Sequence, residues 1–441
     1  MSATRKAYRS AILHSVGDPA EVGLEASCEY YPDGLLVVDE GRISALGHAS
    51  DLLPTLDADI DVVHYQDALI TPGFIDTHIH FPQTGMIGSY GEQLLDWLNT
   101  YTFPCEKQFA DKAHADKVAK IFLQELLRNG TTTALVFGTV HKQSVDSLFS
   151  AAQQLDMRLI AGKVMMDRNA PEYLTETPEE SYQHTRELIE RWHQRGRLSY
   201  ALTPRFAPTS SPELLDKVRQ LREEFPDVWM HTHLSENPQE IAWVKALFPE
   251  RAGYLDVYHH HQLTGKRSVF AHCLHLEDQE WQCLHDTDSS IAFCPTSNLF
   301  LGSGLFNIKR CWQQGVRMGI GTDVGAGTTF NLLQTLGEAY KVGQLQQYKL
   351  SACEAFYHAT LGGAHALDLD DVIGNFNPGK EADFVVLDAA VSPLQKLRNA
   401  NSKDIWERLF VMMTLGDDRN IAQTWVSGKP VWQRESEEQI A

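Results

Sequence analysis

At 441 residues the chain is too long for one small core, and 43% hydrophobic with 22% charged residues is an ordinary globular composition. Its 38 Lys and Arg against 58 Asp and Glu leave a formal charge of -20, which repels phosphate backbones and argues against nucleic acid as the working partner. No apolar run approaches the roughly eighteen residues of a membrane span, the first twenty residues carry no sustained apolar core, and the seven cysteines are scattered without a C-x-x-C pair. The expectation is a cytoplasmic protein with packed, reduced thiols and no membrane partner.

Near the start, "GLLVVDEGRISALG" reads as strand and turn, rich in Val and punctuated by Gly. Next comes "PGFIDTHIH", residues 72 to 80, where strand alternation places Phe74, Asp76, His78 and His80 on one face and Ile75, Thr77 and Ile79 on the other. From here short apolar runs alternate with helical patterns. The strand runs are "GFIDTHIH", "TTTALVFG", "RLIAGKVMM", "LSYALTPRF", "VWMHTHLSE", "SVFAHC", "SIAFCPTSN" and "VRMGIGTDVG". Between the first two, Val118, Ile121, Phe122, Leu126 and Leu127 form a helical stripe, and Gly130 stands where the helix should end. Eight βα units in about 250 residues predict an α/β fold, a (β/α)8 barrel, whose reactive side chains sit at the C-terminal strand ends. Towards the end, "GKEADFVVLDA" and "IAQTWVSGKPVWQ" are again strand sequences. Neither chain end holds enough apolar residues for its own core. Residues 1–70 and 376–441 are therefore expected to fold together as a small composite β-sandwich, interrupted by a barrel over 71–375, with the tail "RESEEQIA" fraying.

Zinc takes imidazole and carboxylate ligands in tetrahedral geometry, and a catalytic zinc keeps one position open. Histidines at i and i+2 on a strand share a face, so His78 and His80 can hold one ion from one side. A second such pair, His231 and His233, ends the fifth strand, His272 ends the sixth and Asp323 the eighth. Taken singly, a strand histidine is most often a core residue, Asp323 a helix cap and Asp76 a turn former. Arriving together at one end of a barrel, they predict a metal site. Glu236, three residues past His233, is placed to work as a general acid and base beside the metal rather than as a helix cap. His259, His260 and His261 read as solvated at a helix end. Lys163 falls on the third strand and is read as structural or supporting, with a single metal expected. No G-x-G-x-x-G, Walker or G-x-S-x-G pattern is completed.

"PGFIDTHIH", the later strand-end histidine, "AHC" and "GTD" resemble the amidohydrolase superfamily over nearly the whole chain. Longer stretches, "DTHIHFPQ", "LLDWLNTYTFPCE", "RFAPTS", "HTHLSEN", "FCPTSNLFLGSG" and "GTDVGAGTTFN", resemble its guanine deaminase family. The resemblance implies hydrolysis of guanine to xanthine and ammonia, a homodimer, and one Zn2+ per chain, with Fe2+ able to use the same ligands. By position it implies His78, His80, His233 and Asp323 as metal ligands, His272 with Asp323 orienting the attacking water, and Glu236 as proton shuttle. It further implies that Gln83, Arg205 and Phe206 hold the guanine ring, which His80, His233, Glu236 and Asp323 also touch. Ser235 receives no role. The chemistry agrees, since guanine has an acceptor at O6 and donors at N1 and the exocyclic amine, suiting an Arg205 guanidinium and a Gln83 amide. The alternatives are a related deaminase or dechlorinase acting on another heterocycle, or a non-catalytic barrel. The latter should lack a ligand, and none is missing.

Overall fold

The chain begins a sheet, leaves it to build a barrel, and returns to complete it. In the computed structural model, which describes residues 5–91 and 93–435, β1 (Lys6–Ser15), β2 (Cys28–Asp39), β3 (Arg42–His48) and β4 (Asp61–Pro72) come first. The barrel strands follow as β5 (Phe74–His80), β6 (Thr131–Phe137), β7 (Arg158–Gly162), the short β8 (Val164–Met165), β9 (Leu198–Pro204), β10 (Trp229–Leu234), β11 (Ser268–His272), β12 (Ser290–Phe293) and β13 (Arg317–Ile320). They are hydrogen-bonded in the order β5-β6-β7-β9-β10-β11-β12-β13, all parallel, with β8 paired to β9. All eight predicted strand runs are thus barrel strands.

Closure occurs at the seam between the first and last strands. Asp323 N donates to the His78 carbonyl at 2.9 Å and His80 N to the Val324 carbonyl at 3.0 Å. Asp76 pins the same seam, accepting from Thr322 N at 3.1 Å and Thr322 Oγ1 at 2.5 Å. It is a buried cross-barrel acceptor, not the turn former its sequence neighbourhood permits, and burial pushes its carboxyl up to about 7.

Two strands are shorter than expected. β12 stops at Phe293 because Pro295 opens the helix Pro295–Phe300, where its missing N–H costs nothing. β13 stops at Ile320, and Asp323 turns off it with a left-handed φ of 51°. The helix Lys112–Arg128, capped by Asp111, buries Val118, Phe122, Leu126 and Leu127 as predicted. Ile121, at the edge of that stripe, is instead 41% exposed. Gly130 takes φ +80°, which lets the chain turn directly into β6.

After the barrel, β14 (Phe384–Asp388), β15 (Ile421–Val426) and β16 (Lys429–Gln433) join the opening strands in a seven-stranded mixed sheet of order β16-β15-β14-β4-β1-β2-β3. Only β1 and β4 pair in parallel; every other pair is antiparallel. Strand alternation gives this layer apolar side chains on both faces, with Tyr8, Leu36, Ile70, Phe384 and Trp425 on one and Ala7, Leu35 and Val37 on the other. Arg158 and Arg197, at the N-terminal ends of β7 and β9, grip Glu381 just before β14 with N–O distances of 2.6 to 3.0 Å, and so clamp sheet to barrel. Residues 436–441, most of the tail expected to fray, lie outside the described residues. Among the described residues no helix is long and apolar enough to cross a membrane.

Candidate active site

The predicted metal ligands meet at the C-terminal mouth of the barrel. His78 Nε2 and His80 Nε2 each lie 3.2 Å from Asp323 Oδ1, and His80 Nε2 lies 3.2 Å from His233 Nε2. Ligands about 2.0 Å from a tetrahedral centre stand about 3.3 Å apart, so these three spacings match three of the six edges of such a tetrahedron. His78, His80 and Asp323 are buried and His233 is half-buried, and desolvation lowers the basicity of His80 to about 4 and that of His233 well below the usual histidine range. Burial alone would raise Asp323, yet the imidazoles around it outweigh that and hold its carboxylate ionised. Neutral imidazoles and a carboxylate are the protonation states a metal requires.

Second contacts fix which imidazole nitrogen faces the centre. His233 Nδ1 donates to the Arg205 carbonyl at 2.7 Å, leaving Nε2 as the donor atom. His78 Nδ1 is 2.7 Å from His231 Nε2, so the first histidine of the i, i+2 pair on β10 stands behind His78 rather than facing the cavity. His78 Nε2 is buried and makes no hydrogen bond of its own. Such an orphaned nitrogen, beside two more imidazoles and a carboxylate, fits a cation.

His272 and Glu236 complete the mouth. Asn298 Nδ2 donates to His272 Nδ1 at 2.9 Å, which puts the remaining proton on Nε2, 3.4 Å from Glu236 Oε2 and 3.9 Å from Asp323 Oδ2. The donor atoms gather within 4.8 Å of one another in two groups, His78 with His80 and His233, and His78 with His272 and Asp323, so that His78 belongs to both. Glu236 is buried, and burial, followed by the charges of Asp323 and Glu240, raises its carboxyl well above the usual range. It is held from two sides. Ser303 Oγ donates to its Oε1 at 3.2 Å, and Glu240 Oε2 accepts its backbone N–H at 3.0 Å while Tyr254 bonds Oε1 of Glu240 at 2.6 Å. Ser235, left without a role from sequence, takes φ 49°, and its carbonyl accepts from Leu274 N and His275 N. That turn swings Glu236 off the end of β10. Ser235, His272 and Asp323 all have positive φ, a clustering of costly backbone expected where geometry serves a site.

Beside the metal quartet opens a cavity lined by Gln83, Arg205, Phe206 and Glu236, with Trp97 and Leu301 among its apolar walls. Arg205 Nη1 donates to both oxygens of Glu106 at 2.9 and 2.8 Å, and Nε and Nη2 have no partner among the described residues. Gln83 Oε1 accepts from Gly325 N at 3.1 Å, which sets the orientation of its amide.

Every site residue expected from sequence lies in this one region, and Lys163, read as structural or supporting, is buried in an ion pair with Glu176. His261 is a correction, being 7% exposed and bonded to Asp216 at 3.1 Å rather than solvated like His259 and His260. Missed altogether were Glu106, Asn298 and Ser303, whose partners are distant in sequence, and Glu240, whose partners Glu236 and Asn237 are near in sequence. Trp97, Glu106 and Asn298 sit in stretches singled out only for their resemblance.

The model of the amidohydrolase family matches residues 69–431. The chain belongs to the amidohydrolase family. This amidohydrolase is 59% identical over 434 residues to the guanine deaminase of Escherichia coli (strain K12), covering 98% of each chain. The solved structure of E. coli guanine deaminase superposes with a TM-score of 0.95 at 57% identity, over 98% of this chain and 100% of that one. Guanine deaminase from C. acetobutylicum, solved with bound guanine in the active site, superposes with a TM-score of 0.88 at 30% identity, over 97% and 100%.

Proposed function

We propose that this amidohydrolase hydrolyses guanine to xanthine and ammonia. The observation that carries the reading is one cavity that brings together a cluster of imidazole and carboxylate donors, a buried carboxyl beside it, and a guanidinium with free N–H groups. The likeness to guanine deaminases along the whole chain supports it.

His78, His80, His233 and Asp323 would hold the metal, zinc in this reading with iron the alternative, which supplies Lewis acidity that makes water a nucleophile at neutral pH. The chain's own residues do the rest. The free N–H groups of Arg205 donate to guanine O6, and Gln83 offers its amide to the ring edge. Phe206 supplies an apolar wall for the ring face. Adenine, with a donor where guanine has O6, leaves Arg205 unpaired, at about 1 to 3 kcal/mol per lost bond. Glu236 takes a proton from the attacking water and passes it to a ring nitrogen, making C2 electrophilic, and a second transfer releases ammonia. His272, donating through Nε2, holds the attacking oxygen against C2 together with Asp323.

The homodimer, the cytoplasmic location, and the division into a β domain of 1–70 and 376–441 around a barrel of 71–375 belong to the same proposal. Light scattering and limited proteolysis test the first and the last. For the activity, ammonia and xanthine are followed from guanine, adenine, cytosine and guanosine at equal concentration. Release from guanine alone is expected. Release from another base only would overturn the pocket roles of Gln83 and Arg205.

A further inference from the structure

Cys28 opens β2, and Cys353 lies in the helix Ala352–Ala359, whose Phe356 packs on Phe74 of the first barrel strand. Their Sγ atoms are 2.8 Å apart although the residues are 325 positions apart in sequence. No other thiol–thiol contact occurs among the described residues. Cys105, Cys273, Cys294 and Cys311 bond backbone carbonyls, and Cys283 stands alone.

The two thiols differ in a way that suits exchange chemistry. Cys28 is partly exposed, whereas Cys353 is 5% exposed. Ser27 Oγ lies 3.3 Å from the Cys353 sulfur, and Ser15 Oγ lies 3.8 Å from that of Cys28. The hydrogen bond from Cys353 lowers the Cys28 thiol to about 7, and the same contact pushes Cys353 up. The accessible sulfur is therefore the better nucleophile at neutral pH, and its neighbour keeps its proton until a leaving group is presented.

We propose that Cys28 and Cys353 form a modification site, at which a low-molecular-weight disulfide of the glutathione type converts the pair into an intramolecular cross-link. The Cys28 thiolate attacks one sulfur of that disulfide, forming a mixed disulfide and expelling one small thiolate. Cys353 loses its proton and attacks Cys28 Sγ, which breaks the mixed bond and expels the second small thiol. Two protein thiols are oxidised, and one small disulfide is reduced to two thiols. The product joins the first hairpin of the β sheet to a helix packed against the barrel. Neither sulfur lines the metal cavity, so the bond is expected to change stability and leave the chemistry alone.

The test uses the folded, fully reduced protein in a ladder of oxidised and reduced glutathione, quenched with acid, alkylated and read by intact mass and peptide mapping. Wild type should lose two of its seven thiols, lose the mass of two hydrogens, yield one linked peptide pair containing residues 28 and 353, and melt higher than the reduced form. Cys353→Ser should stop at a glutathione adduct on Cys28 and show no rise in melting temperature. Cys28→Ser should leave Cys353 unmodified, and Cys28→Ala with Cys353→Ala repeat the comparison should a serine variant fail to fold. Seven thiols retained in the most oxidising buffer, or a persistent adduct on wild-type Cys28 without the linked peptides, would overturn the proposal.

Discussion

Glu106 and Arg205 form a buried ion pair, 99 residues apart in sequence, in which one guanidinium nitrogen reaches both carboxylate oxygens at 2.9 and 2.8 Å. Phe103 lies 5.5 Å from the same guanidinium, a cation–π contact that fixes its plane. Burial pushes the Glu106 carboxyl up, and the guanidinium opposes that. Glu106 is thus a positioning residue, aiming the free N–H groups of Arg205 into the cavity. Glu106→Gln keeps the shape and removes the charge. Loss of about 2 kcal/mol, roughly thirty-fold in kcat/KM for guanine, is expected with metal content unchanged. Unaltered kcat/KM would show that Arg205 needs no anchor.

Glu236→Gln removes the proton carrier while keeping the bonds from Ser303 and to Glu240. Turnover should fall by about 10² to 10⁴ with the metal retained. Metal analysis beside steady-state rates checks this, and near-normal turnover would remove Glu236 from the mechanism.

His231 Nε2 stands 2.7 Å behind His78 Nδ1, a contact that turns His78 Nε2 to the centre. His231→Phe should weaken metal binding by about 10- to 100-fold, the usual cost of losing a supporting contact. Chelator competition followed by metal analysis gives the affinity directly, independent of turnover. An unchanged dissociation constant would mean that packing alone orients His78.

Acid should loosen the clamp between sheet and barrel. Burial would raise the Glu381 carboxyl, but the hydrogen bond from Arg158 and the charges of Arg197 and Arg158 hold it below the usual glutamate range. Its folded value lies below its unfolded one, so the stabilisation is fully present above the unfolded value and is lost as pH falls through the folded one. Glu381→Gln should lower stability near neutral pH by about 3 kcal/mol, the low end for breaking a buried pair because Arg197 keeps Asp383. The difference from wild type should shrink as both are acidified. Urea midpoints measured from neutral pH down to about 3 would reveal it, and a constant gap would exclude Glu381 as the group responsible.

Much of this protein was legible in its sequence because the deciding physics is local. Strand alternation put His78 beside His80 on one face of β5, and eight repeats of strand and helix implied a barrel whose C-terminal mouth collects strand-end residues. Residue types alone marked Asp323 and Glu236 as partners for those histidines. Only tertiary structure could distinguish His231, behind His78, from His233, at the cavity, since both share one face of β10. Only the closed seam could make Asp76 a cross-barrel acceptor. Glu106, Asn298 and Ser303 act through partners on other elements, Glu240 is in turn held by Tyr254 from the next helix, and His261 pairs with Asp216 of a different helix. Periodicity along a chain reports which way a side chain points, whereas its hydrogen-bond partner is set by what the fold brings opposite it, and that depends on contacts between residues far apart in sequence.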